Sequence, residues 1–105
     1  MTFLEGPVLA FAILGMTHYV DIGRPDPAVI YYESAREAHM VLPGAPAMKG
    51  ELTMLGSGYH VAWADGPSGD WKIARDGEAV IYIDGAGERA GTIIKIVPGN
   101  PEGLE

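Results

Sequence analysis

The sequence predicts an all-β fold, a small antiparallel meander barrel or tight sandwich of about eight short strands. Two observations carry this. Four short runs rich in β-branched and aromatic residues fill Gly58 to Val97: Tyr59-His60-Val61-Ala62-Trp63-Ala64, Trp71-Lys72-Ile73-Ala74, Ala79-Val80-Ile81-Tyr82-Ile83 and Thr92-Ile93-Ile94-Lys95-Ile96-Val97. Between them stand Asp65-Gly66, Asp76-Gly77 and Asp84-Gly85, residue pairs that tolerate the positive φ of tight hairpin turns.

Val8 to Ile22 reads as two strands broken near Gly15: an apolar buried run, then the alternating Thr17-His18-Tyr19-Val20-Asp21-Ile22. The apolar run is not a targeting segment, because Glu5 stands where a basic region belongs, and it falls well short of the ~20 residues of a membrane helix. Arg24-Pro25-Asp26-Pro27 forces a loop. Ala28 to Leu42 has two readings. Asp26 and Pro27 resemble a cap and first helical position, which gives an α+β alternative with one helix in 27–40. The β cluster Val29-Ile30-Tyr31-Tyr32, returned by Ala38 to Leu42 through a turn at Ser34 to Glu37, gives a hairpin, which is preferred. Lys49 to Leu55 alternates again after Pro43-Gly44-Ala45-Pro46.

Residues 1–103 form one domain, and Leu104-Glu105 match the dipeptide a cloning site leaves, so they are set aside. With no cysteine there is neither a disulfide framework nor a thiolate, and packing must supply the stability. The cytoplasm is mildly favoured. Fourteen acidic against seven basic residues give a net charge of −7, which repels phosphate backbones and anionic surfaces. Neither nucleic acid nor membrane is an expected partner.

Strand parity orients the side chains, since successive residues face opposite ways and charged positions face water. Asp21 outward puts His18, Val20 and Ile22 inside; Glu33 puts Ile30 and Tyr32 inside; Glu37 puts Ala38, Met40 and Leu42 inside. Lys49 and Glu51 put Leu52 and Met54 inside, Lys72 puts Trp71 and Ile73 inside, and Lys95 puts Ile94 and Ile96 inside. For the strand from Tyr59, the bulkier set of Tyr59, Val61 and Trp63 is taken as inward. An interior with several rings suits a small apolar or aromatic ligand, with His18, Tyr32, Met54, Tyr59, Trp63, Trp71 and Tyr82 as the candidate lining. The competing reading is that these rings simply fill the barrel.

No catalytic residue, metal site or cofactor is expected. His18, His39 and His60 are spaced 21 residues apart, but parity places only His18 inside. Asp65-Gly66-Pro67-Ser68-Gly69-Asp70 lacks the ligand ladder of a calcium loop. Gly85 to Gly91 lacks phosphate-loop spacing and reads as a hairpin loop, and Gly56-Ser57-Gly58 is no nucleophile elbow. His18 beside Tyr32 or Glu33 is the sole inward acid-base combination.

Tyr59-His60-Val61-Ala62-Trp63, Gly69-Asp70-Trp71 and Tyr82-Ile83-Asp84 at hairpin spacing resemble the later strands of small lipocalin-like, calycin-type barrels, including MoaF-like domains. The likeness covers the second half; Gly15-Met16-Thr17 replaces the Gly-x-Trp of a typical lipocalin first strand. It implies an internal apolar cavity lined by Tyr59, Trp63, Trp71 and Tyr82. Three functions are therefore weighed. The first is a binding module for a small apolar ligand; the second is a homodimeric interaction domain with a filled core and Ala28 to Glu33 as a pairing edge; the third is a cofactor-free enzyme using His18.

Overall fold

The computed structural model describes residues 1–64, 66 and 68–105. Eight strands follow one another as an up-and-down meander that closes on itself. They are β2 (Met16–Asp21), β3 (Ala28–Tyr32), β4 (Glu37–Val41), β5 (Met48–Leu55), β6 (Gly58–Trp63), β7 (Gly69–Asp76), β8 (Ala79–Ile83) and β9 (Arg89–Pro98). Every neighbouring pair is antiparallel, and β9 returns to β2 to complete the ring. A two-residue strand β1 (Thr2–Phe3) pairs with the end of β7 that extends beyond β6, so the wall continues where β6 stops. The all-β barrel is thus as expected, and Ala28 to Leu42 is the β3–β4 hairpin, with Ile30 opposite Met40.

The helix lies elsewhere. Residues read as an opening strand form α1 (Gly6–Ile13), about 12 Å long at 1.5 Å per residue. Pro7 sits in its first turn, where the missing N–H costs nothing, and Gly15 follows the C-cap at φ 74°, a conformation open to glycine. Leu9 and Ile13, four residues apart, are buried in the core. The run is apolar on both faces, with Phe11 81% exposed, so it carries no period by which a helix could be told from a buried strand.

Alpha1 seals one end of the barrel. Gly6 N–H donates to Gly56 O at 3.1 Å, and Gly15 N–H donates to Tyr32 O at 2.7 Å, both at strand ends on that side. The chain after β9 runs along the outside of β2: Gly99 O accepts from Thr17 Oγ1 at 2.6 Å, and Tyr19 Oη donates to Glu102 at 2.7 Å. This explains how outward Thr17 comes to be buried. Leu104, whose dipeptide with Glu105 matches a cloning remnant, is only 8% exposed, and its backbone N–H and C=O both bond the Asn100 side chain.

Parity holds for six of the seven wall strands it was used to orient, β9 being the exception. In β9 a bulge lies between Tyr19 and Val20 of the β2 pairing, where Tyr19 faces Lys95 but Val20 faces Ile93. Ile94 is the extra residue and is 60% exposed, while Ile93 joins the core. Ile96 is exposed as well, so neither expected position is buried. Among the Asp-Gly turns, Asp76 and Ala79 pair across a two-residue hairpin. At Asp84 the carboxylate accepts from Ala86 and Glu88 N–H, and the left-handed residue is Gly87 rather than Gly85. The Asp65-Gly66 turn and the 65–70 loop include Asp65 and Pro67, outside the described residues.

The plug gives a direct test. Ile13→Ala should lower unfolding free energy by about 2–4 kcal/mol, and Phe11→Ala by less than about 0.5 kcal/mol, in urea titrations. Equal effects would mean that α1 does not seat on the barrel.

Candidate functional site

The barrel encloses a cavity of about 220 Å³ above the plugged end. Its rim is set by Ile22, Leu42, Trp63 and Ala90, which lie at or next to the strand ends farthest from α1 and are partly or fully exposed. Its floor is a cluster of three phenols, Tyr32, Tyr59 and Tyr82, with Trp71 beside Tyr82 at a ring separation of 6.3 Å.

Local sequence positions these rings. Tyr59 pairs with Trp71 across β6 and β7, and Gly50 pairs with Trp63 across β5 and β6. A Cβ on Gly50 would lie 2.6 Å from the Trp63 indole, so the absence of a side chain there lets the indole lie against β5 instead of filling the cavity.

Of the seven residues expected to line the interior, Tyr32, Tyr59, Trp63, Trp71 and Tyr82 meet around this cavity. Met54 packs against the core without reaching it. His18 lies a layer deeper, between the phenols and α1: Nδ1 is 2.6 Å from Tyr82 Oη, and Nε2 is 2.8 Å from Ala12 O. Glu33 is on the outer wall beside His39, so the inward His18–Glu33 pair does not form. The remaining wall is Val20, Ile30, Met40 and Val61, named as inward from the sequence, with Ala28, which shares the parity of Ile30 and Tyr32 although it was not named, and Ala90 carried no signal in its Gly-rich loop.

The hydrogen bonds beneath the cavity have one possible direction while His18 is neutral. A carbonyl only accepts, so Nε2 carries the proton and donates to Ala12 O, one of the carbonyls a helix end leaves unpaired. Nδ1 then accepts from Tyr82. Tyr82 has spent its hydrogen, so Tyr32 donates to Tyr82 at 3.0 Å, and Tyr59 donates to Tyr32 at 2.8 Å. Every hydroxyl hydrogen points toward the helix. Tyr59 Oη is left with acceptor capacity and no hydrogen to give.

The ionisation states fit this wiring. Burial lowers the His18 pKa to about 4, against the opposing pull of the Ala12 bond. Burial raises all three phenols well above their ordinary value, reinforced by their mutual repulsion when charged. At neutral pH the cluster is uncharged throughout.

Two outcomes follow. Because the unfolded imidazole titrates near 6.5 and the folded one near 4, the unfolded chain binds more protons between these values; stability is full above pH 6.5 and falls by about 3 kcal/mol as pH drops toward 4. Urea midpoints of the wild type and His18→Gln across this window check it, and identical slopes would refute it. Tyr82→Phe strands both the His18 acceptor and the Tyr32 hydrogen and should cost about 2–4 kcal/mol, whereas Tyr59→Phe removes only the chain's first donor and should cost about 1 kcal/mol. The same titrations rank them.

No protein-family model, curated protein or solved structure matches this chain.

Proposed function

We propose that the protein binds one small, largely apolar molecule of one or two rings inside the barrel, and that the molecule presents a hydrogen-bond donor to the phenol floor. The observation that carries this reading is the cavity of about 220 Å³ whose floor has hydroxyl acceptors without free hydrogens. An apolar cavity of about 150 Å³ already accommodates benzene, so a bicyclic ring such as indole is of suitable size. Aromatic walls give affinity through area, and a single polar contact in such surroundings fixes orientation. The resemblance to lipocalin-like barrels belongs to the same reading.

The other two readings draw less support. In the homodimer reading the pairing edge was Ala28 to Glu33, but β3 is bonded on both sides, by β2 and β4. In the enzyme reading His18 must act on a substrate, but both ring nitrogens are engaged and Tyr82 stands between it and the cavity. No helix is long and apolar enough to cross a membrane among the described residues.

Indole and benzofuran make the test, because they share shape and differ in offering an N–H donor or an oxygen acceptor. By titration calorimetry, with tryptophan fluorescence as a second readout, indole should bind about 3- to 10-fold more tightly, the worth of one hydrogen bond. Tyr59→Phe should remove most of the difference. Equal binding of both would retain the cavity and overturn its polarity; binding of neither would overturn the ligand reading.

A further inference from the structure

A second group of side chains lies on the outer wall, away from the cavity. Ser34 Oγ accepts from the N–H groups of Arg36 and Glu37 at 3.1 and 3.2 Å, and this turn brings Glu33 and Glu37 together at the turn end of the β3–β4 hairpin. His39 is two residues along β4 and therefore on the same face as Glu37. One carboxylate oxygen from each glutamate and one imidazole nitrogen lie within 4.8 Å of one another.

His39 is the residue that calls for explanation. It is 4% exposed, stacked on Tyr31 at 6.0 Å, and its two ring nitrogens are the buried side-chain polar atoms without a hydrogen-bond partner among the described residues. Leaving a buried polar group unpaired costs about 1–3 kcal/mol. Its Nε2 faces Glu33 Oε1 at 3.5 Å, close enough for an ion pair but beyond the usual ~2.7–3.2 Å of an N–H···O bond. It is, however, close to the separation of about 3.4 Å between two ligand atoms on a tetrahedral ion with bonds of about 2.1 Å.

We propose that Glu33, Glu37 and His39 form a site for a divalent first-row transition metal, zinc foremost. The donor set of one imidazole and two carboxylates excludes the all-oxygen preference of calcium and magnesium and suits zinc, with water in the fourth position. Glu33 and Glu37 are partly or fully exposed, so the ion reaches the site from solvent while the buried imidazole anchors it. Lys49 Nζ lies 3.4 Å from Glu37 Oε1 and competes for the same carboxylate. The site is therefore a moderate one, strengthened by removing that ammonium.

Calorimetric titration of the 105-residue chain with zinc chloride tests the assignment, with His39 imidazole nitrogen shifts followed by NMR. One zinc should bind per chain and shift the His39 Nε2 resonance. The paired change Glu33→Gln with Glu37→Gln, at positions whose exposure spares the fold, should weaken binding by about tenfold or more, and Lys49→Met should strengthen it. His60→Gln should leave it unchanged. Absence of saturable uptake up to about 1 mM zinc, or uptake that survives the paired change and is lost in His60→Gln, overturns the site.

Discussion

The bridge that His18 makes between Ala12 O and Tyr82 Oη is the contact on which the rest of the interior depends. It satisfies a helix-end carbonyl and sets the imidazole tautomer. Through Tyr82 and Tyr32 it also fixes the direction of every hydroxyl beneath the cavity. Plug and floor are consequently one hydrogen-bonded unit. Buried polar networks of this kind are favourable only when each member is satisfied, which makes His18 and Tyr82 far less replaceable than Tyr59 at the chain's end.

The cavity is a product of what the barrel leaves unfilled. An eight-stranded ring is just wide enough for its own side chains to close it, and near α1 they do: Leu9, Ile13, His18 and the phenols fill the space. Toward the other end the inward positions turn smaller or lean against the wall, as at Ala28, Ala90 and the indole of Trp63 lying over Gly50. The opening thus lies where Ala28, Ala90 and the displaced indole leave space between the strands.

The outer wall obeys different physics from the interior. Its polar contacts are exposed and weak, as in the Lys49–Glu37 ion pair or the hydrogen bond between His60 and Asp70 at 2.6 Å. His39 departs from this pattern because it is buried on the outward face, under the ring of Tyr31 and beside two carboxylates, without a hydrogen bond of its own. Desolvation of an unpaired imidazole in such a place is a cost that the surrounding carboxylates only partly offset.

By itself the sequence determined the strands, most of their orientation and the identity of the aromatic lining. Alternation and turn residues are local, and in most strands that carry one a charged residue says which face meets water, although in β9 the bulge defeats it. Tertiary structure decided the rest. The run from Val8 became a helix because the barrel's end needed an apolar plug, and an apolar run has no period of its own to declare it. A bulge moved Ile94 outward because β9 has to follow two neighbours of different register. His18 left the lining and His39 entered a carboxylate cluster through contacts between residues distant in the chain or across a turn. Parity gives the face on which a side chain lies but not the depth it reaches or the partner it meets, since both depend on how strands tilt and close in space.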